Sequence, residues 1–258
     1  MSRTPSPAKG TRPEGATTEA EASKKVREMF TQIAPRYDLL NHLLSFELDR
    51  LWRVRAARHL RPVLERPDAL VLDLCCGTGD LAFALAHAGK ARILGADFAH
   101  TMLVRARTKS RDVPAANGVG SVARMAFFEA DALRLPFADV SFDLVTSAFG
   151  FRNLANYEAG LREIYRVLKP GGMIAILEFS EPPDSLLGDA YRWYFTRALP
   201  RIGRLISGHE SAYTYLRKSV ARFLRPTELA ALMTSVDYQS VEFHEWTMRT
   251  VALHTATR

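Results

Sequence analysis

The alternation of apolar and polar positions divides the chain into three parts. Residues 2–22 hold no Leu, Ile, Val, Met or aromatic side chain and are rich in Pro, Ser, Thr, Ala and Gly. Such a segment cannot bury a core, so 1–22 read as a disordered tail. Glu14, Glu19 and Glu21 disfavour a transit peptide there. Over 23–64 the apolar positions take helical spacing and predict an N-terminal helical cap. Lys24 to Ile33 is amphipathic and ends before Pro35, and Leu48, Leu51, Trp52, Val54 and Leu60 line a second helix with Arg on its other side. From residue 69 the pattern changes to short apolar runs between helical stretches. Strands are predicted at 69–74, 91–96, 125–129, 142–147 and 173–179, with helices at 81–87, 101–109 and 157–168. Pro170-Gly171-Gly172 reads as the stop of the last helix, and 111–124 as a Gly/Ala/Pro-rich linker. Late in the chain come an insertion over 181–225 with an aromatic helix, a helix at 227–235, and two strands near 240–245 and 250–257. The βα alternation predicts an α/β fold in which 23–258 form one domain around a mostly parallel sheet, closed by an antiparallel edge strand.

Composition narrows the setting. The chain has 258 residues, enough to bury a substantial core without cross-links. Its two cysteines, Cys75 and Cys76, are adjacent. They suit neither a disulfide framework nor a metal site, and they point to a reducing, cytoplasmic setting with no metal. No run of apolar residues is long enough for a transmembrane helix. The net charge of +7 fits an Arg-rich surface, a nucleic acid or an anionic membrane.

The chemistry centres on Asp73-Leu74-Cys75-Cys76-Gly77-Thr78-Gly79, a glycine turn between a strand and a helix. Gly77 and Gly79 permit positive φ and close backbone approach to a ligand. Gly77-Thr78-Gly79-Asp80-Leu81-Ala82 also fits the dinucleotide pattern G-x-G-x-x-A, so the loop alone leaves NAD or FAD open. Three acids at strand ends shift the balance toward S-adenosylmethionine (SAM). Asp73 can organise the loop and approach the cationic end of that cofactor. Asp97 can accept both ribose hydroxyls. Asp131 can accept the adenine amine, with the Ala132 N–H available to a ring nitrogen.

Asp73–Asp80, Gly95-Ala96-Asp97, Asp131-Ala132 with Leu135-Pro136-Phe137, and Leu168–Gly172 resemble class I SAM-dependent methyltransferases. More narrowly, Phe149-Gly150-Phe151-Arg152-Asn153, Leu177–Ser180, Tyr213–Val220 and Phe30–Asn41 resemble the menaquinone and ubiquinone C-methyltransferases. The resemblance spans about 25–257. It departs at Cys75-Cys76, where Ala-Gly is usual, and at Phe223-Leu224-Arg225-Pro226, where Phe-Pro is usual. It implies a Rossmann-like seven-stranded sheet with an inserted helical lid, and methyl transfer to a ring carbon of a reduced, lipid-tailed quinone precursor. Demethylmenaquinol is the expected acceptor, with a polyprenyl benzoquinol as the alternative. Matching cofactor positions are Thr78, Asp97, Asp131-Ala132 and Ser147. Arg152 and Asn153 would lie near the acceptor, Tyr37 and Asp38 would cover the cofactor, and His209 and Tyr213 are candidates for the ring-hydroxyl proton.

Arg197, Arg201 and Arg204 share one side of the helix predicted within 186–206, opposite Tyr191, Phe195, Leu199, Ile202 and Ile206. Such a helix can lie at an anionic lipid surface, which suits a lipid-tailed substrate. It fits a core-facing helix with an Arg-coated exterior equally well. A homodimer is among the expectations, and a nucleic-acid partner is not. Amino-methylating enzymes of nucleic acids carry Asn/Asp-Pro-Pro-aromatic where this chain has Ser147-Ala148-Phe149-Gly150. An oxidoreductase would need a catalytic Tyr-Lys pair that is not evident, and a non-catalytic SAM or quinone binder stays as a fourth reading.

Overall fold

A computed structural model of the chain describes residues 10–38, 45, 47–112, 124–180, 215 and 218–258. The cap comprises α1 (Glu19–Ile33), a 3₁₀ turn over Ala34–Arg36, α2 (Leu48–His59) and α3 (Arg61–Leu64). There follow β1 (Leu70–Leu74), α4 (Asp80–Ala88), β2 (Arg92–Asp97), α5 (His100–Asp112), β3 (Met125–Glu129) and β4 (Phe142–Ala148). A 3₁₀ turn at Phe151–Asn153 leads into α6 (Tyr157–Val167), β5 (Leu168–Phe179), α7 (Pro226–Ser235), β6 (Gln239–Trp246) and β7 (Val251–Thr257).

Among the described residues seven strands form one sheet in the order β3-β2-β1-β4-β5-β7-β6. Neighbours from β3 to β5 pair in parallel, and β7 runs antiparallel to both β5 and β6. The central strands are apolar on both faces because helices cover both. Val71, Ile93 and Leu144 pack with Trp52, Leu60 and Leu85 on one side. Leu72, Val145 and Ile176 pack with Leu161, Ile164 and Leu229 on the other. The strand order reverses between β1 and β4, so the loops leaving their carboxyl ends diverge and open a cleft.

Two expectations change. The disordered tail expected over 1–22 is corrected for residues 10–22. There α1 starts at Glu19, where Thr18 and Glu21 close a capping box. Upstream, the Thr11 N–H donates to the Leu154 carbonyl at 2.7 Å, and a Cβ on Gly10 would fall 2.0 Å from the Ala155 carbonyl oxygen. This segment docks through its backbone, so its low hydrophobicity misleads. Pro170-Gly171-Gly172 is not merely a helix stop: it lies inside β5. Gly171, at φ 74°, donates to Arg258, which returns a bond to Gly172. The antiparallel pair expected at the sheet edge is present as β7 and β6, with β6 outermost.

The inserted lid over 181–214, with the 186–206 helix, His209 and Tyr213, lies outside the described residues, as does 113–123 of the linker. No helix among the described residues is long and apolar enough to cross a membrane.

Candidate active site

The loop after β1 is built by backbone geometry. Cys75, Gly77 and Gly79 take φ of 55°, 55° and 89°, and α4 begins at Asp80. Asp97, at the end of β2, accepts the Gly77 N–H at 2.9 Å and the Ala99 N–H at 2.8 Å, tying two βα turns together. Burial pushes its carboxyl up to about 6. The β4 turn closes against the same loop: a Cβ on Gly150 would lie 2.4 Å from Cys75 Cβ. Space near Cys76 is less tight, its Sγ lying 3.1 Å from where a Gly95 Cβ would be. Burial pushes both thiols well above the ordinary range. Protonated and partly buried, they are packing groups rather than nucleophiles.

Two adjoining cavities flank this loop. The larger, about 660 Å³, lies over the carboxyl ends of β1–β4. Gly77, Asp97, Asp131 and Ala132 line one part of it, Phe30 and Tyr37 come from the cap, and Phe149, Asn153 and Leu154 close the far end. The smaller, about 290 Å³, lies between α2 and the loop, against Arg53, Asp73, Thr78 and Asp80. Tyr37 and Cys75 line both. Asp73 is fully buried, with Oδ1 accepting from the Thr146 hydroxyl at 3.0 Å and no hydrogen-bond partner for Oδ2 among the described residues. Burial raises its carboxyl to about 7. Lys109 joins cap to loop by donating to Thr78 Oγ1 and Asp38 Oδ2, both at 3.2 Å, and to Asp80.

The sequence-predicted residues therefore separate. Tyr37, Gly77, Asp97, Asp131, Ala132 and Asn153 meet on the larger cavity. Asp73 and Thr78 lie on the smaller. Gly79 is the left-handed N-cap of α4. Ser147 is buried beneath the β4 end, its hydroxyl without a hydrogen-bond partner among the described residues. Arg152 is not on either described wall. It is buried in an ion pair with Glu178, Nη1 to Oε2 at 3.0 Å, and its backbone N–H also donates to Glu178 at 3.0 Å. Its guanidinium lies over the Phe179 ring, 5.3 Å from the centroid. Sequence reasoning gave no role to Glu178, nor to the buried Asp49–Arg53 pair of α2. The signal for Glu178 was an acid closing an otherwise apolar strand.

A model of the ubiE/COQ5 methyltransferase family matches residues 18–258. The chain belongs to this family. It is 49% identical over 231 residues to a demethylmenaquinone methyltransferase of Thermus thermophilus, covering 89% of this chain and all of that protein. Identity is 40% to the ubiquinone/menaquinone biosynthesis C-methyltransferase UbiE of Geotalea daltonii, over 92% of this chain and 98% of that one. A SAM-dependent methyltransferase structure from Thermotoga maritima, a possible histamine N-methyltransferase, superposes with a TM-score of 0.60 at 19% identity, covering 89% of this chain and 98% of that one. At that identity the likeness concerns the fold.

This member of the family is a SAM-dependent methyltransferase. Its residues fit the cofactor. SAM brings a ribose diol, an adenine amine and a cationic end, all of which need acceptors. The strand ends offer Asp97, Asp131 and the Oδ2 of Asp73, which has no partner among the described residues, with Gly77 open to close approach.

Proposed function

We propose that this methyltransferase methylates a ring carbon of a reduced polyprenyl naphthoquinone precursor, demethylmenaquinol, in menaquinone biosynthesis. The observation that carries this reading is the 49% identity to a protein named demethylmenaquinone methyltransferase, matched over its whole length. A second reading, methylation of a polyprenyl benzoquinol, draws on the relative at 40% identity whose name includes both quinones.

The cofactor supplies a methyl group already activated by its sulfonium, so the protein's work is binding, orientation and proton handling. Asp97 holds the loop with one lone pair on each oxygen and offers the others to the ribose hydroxyls. Asp131 and the Ala132 N–H take the adenine edge, and Thr78 and Ser147 present hydroxyls to the cofactor. Gly77 and Gly79 let the backbone approach it. Asp73 faces its cationic end. At the far end of the cavity Tyr37 and Asn153 meet the acceptor ring. Arg152 acts as a positioning residue: through Glu178 it holds the Phe151–Asn153 turn from beneath. The ring carbon becomes nucleophilic when the adjacent hydroxyl loses its proton to a side chain or a held water. The carbon must then sit about 3–3.5 Å from the methyl group.

The test is transfer of labelled methyl from SAM to short-tailed, reduced acceptors. Transfer to the demethylated naphthoquinol should exceed transfer to the benzoquinol. No transfer to either acceptor, with SAM still bound tightly, would overturn the reading.

The same reading places the enzyme in the cytoplasm, in peripheral contact with the membrane through 186–206. The pattern of Arg and apolar positions there supports it, as does the lipid tail of the acceptor. Co-sedimentation with anionic vesicles that salt abolishes is the expected result. Assembly as a homodimer is the accompanying expectation, checked by mass in solution.

A further inference from the structure

The far wall of the larger cavity holds a chain of hydrogen bonds with a fixed direction. Asn153 ends the 3₁₀ turn after β4 and lines the cavity. Its Oδ1 accepts from the Tyr215 hydroxyl at 2.9 Å, and that hydroxyl lies 3.2 Å from Thr11 Oγ1. A hydroxyl carries one proton. Tyr215 gives its proton to Asn153, so Thr11, buried in the wall, gives its own to Tyr215. Turning the Asn153 amide over would make Nδ2 the donor to Tyr215. One of the two hydroxyl protons would then have no acceptor among the described residues. The cost of that unmade bond holds the amide as it stands. Burial pushes the Tyr215 hydroxyl above the ordinary tyrosine range, so it stays a donor. The charges that act on it, Arg152 and Glu178, form one ion pair and oppose each other.

Thr11 is itself fixed. Its N–H donates to the Leu154 carbonyl at 2.7 Å, and Arg12 Nη1 donates to the Thr11 and Ala155 carbonyls at 2.8 and 2.6 Å. Leu154 and Ala155 follow Asn153 on the cavity wall. The strap over residues 10–17 thus grips the backbone beside the side chain that it orients. The group left for a ligand is the Asn153 NH₂, which has no hydrogen-bond partner among the described residues.

We propose that Thr11 and Tyr215 are positioning residues for methyl transfer, turning Asn153 so that its N–H groups, and not its carbonyl, meet a ring oxygen of the acceptor. The inference rests on the quinol reading above. That oxygen becomes negative when its proton leaves, and a hydrogen-bond donor favours the charged form. A carbonyl in the same place would repel it. A strap ahead of the stretch that the family model matches thereby tunes the ionisation on which the ring carbon depends.

The test is the pH profile of labelled-methyl transfer from SAM, without oxygen, to the short-tailed naphthoquinol or benzoquinol that the wild type accepts. The rising limb of kcat reports loss of the ring-hydroxyl proton in the complex. Tyr215→Phe should move that limb up by about one pH unit, the size of a hydrogen bond to a charged group. Thr11→Val should move it about half as far, and Thr11→Ser should restore it. Asn153→Asp still accepts from Tyr215 but has no N–H for the ring oxygen, so transfer should fall about 100- to 1,000-fold at unchanged SAM affinity. Slower transfer with an unmoved limb in Tyr215→Phe and Thr11→Val, or full activity in Asn153→Asp, would overturn the proposal. No transfer by wild type to either quinol would instead overturn the acceptor reading beneath it. A thermal melt confirms that each variant folds. If Tyr215→Phe does not, Thr11→Val against Thr11→Ser decides by the same limb.

Discussion

The glycine loop and the far wall of the larger cavity are built in different ways. The proposed cofactor side takes Asp73, Gly77, Thr78, Gly79 and Asp97 from two consecutive βα turns. Parallel register places Asp73 beside Gly95 and Leu74 beside Ala96, so adjacency along the chain becomes adjacency in space. The acceptor end is assembled from distant segments. Asn153 accepts from the Tyr215 hydroxyl at 2.9 Å, and that hydroxyl lies 3.2 Å from Thr11 Oγ1. Lys218 pairs with Glu14 at 2.9 Å, holding the same N-terminal strap. The strap over residues 10–17 precedes the stretch that the family model matches, yet it reaches Asn153 through Tyr215. The glycine loop and the Asp97 that ties it are thus encoded in one short stretch, while Asp131, Ala132 and Ser147 come from later strand ends. The acceptor end can be altered from the termini without touching the loop.

The sharpest test of that division is the buried Arg152–Glu178 pair. Glu178→Ala leaves Arg152 charged and alone where it is 5% exposed, and should cost about 3–5 kcal/mol in urea unfolding. Arg152→Met/Glu178→Leu should recover most of that stability while methyl transfer stays slow. Recovery of transfer as well would show that the pair does not position the acceptor end.

At the cofactor end, Asp97→Ala orphans the Gly77 and Ala99 N–H groups, each worth about 1–3 kcal/mol, and removes the ribose acceptors. SAM binding by calorimetry should weaken at least about 100-fold.

Gly150→Ala sets two Cβ atoms 2.4 Å apart and should cost about 1–3 kcal/mol in thermal or urea unfolding. Cys75→Gly in the same chain should reverse the loss. It removes the opposing Cβ and relieves a left-handed φ of 55° that costs about 1–2 kcal/mol for a side-chain-bearing residue.

Acidity separates binding from stability. Asp73 near 7 and Asp97 near 6 both stand above the 3.8 of an unfolded Asp. The folded protein therefore holds extra protons between those values. The stability they carry is full below 3.8 and is lost as pH rises through 6 and then 7. The part of cofactor-free stability due to these groups should grow on acidification, isolated by comparing melts of wild type and Asp73→Asn. SAM affinity should fall over the same window, approaching about tenfold per pH unit as each carboxylate is neutralised.

The smallest effect belongs to the strap. Thr11→Val deletes a neutral hydrogen bond worth about 1 kcal/mol, so KM for the quinol should rise about fivefold at unchanged SAM affinity. An equal change in SAM affinity would mean that the two ends are not separable.

The division between what was legible in the chain and what was not follows the same line. Short apolar runs between helical stretches and the glycines of 77 and 79 predicted the parallel sheet and the cofactor turn, because apolar strands and positive φ are local demands. The acids at 73, 97 and 131 were readable as strand-end groups for the same reason. The partner of Arg152 was not readable. Its pairing depends on β4 lying against β5 in the register that sets Ala148 beside Leu177, which brings the acid of one strand end under the turn of the next. Nor was the docking of residues 10–17, which lack large apolar side chains and are held by backbone bonds and by charges up to 204 residues away. The placement of Arg53 beside Asp73 also needed the cap to fold over the loop. Local geometry determined where the cofactor turn would form. Only close packing decided which buried charges face each other, because in a low-dielectric interior the partner is set by whatever the fold brings within a few ångströms.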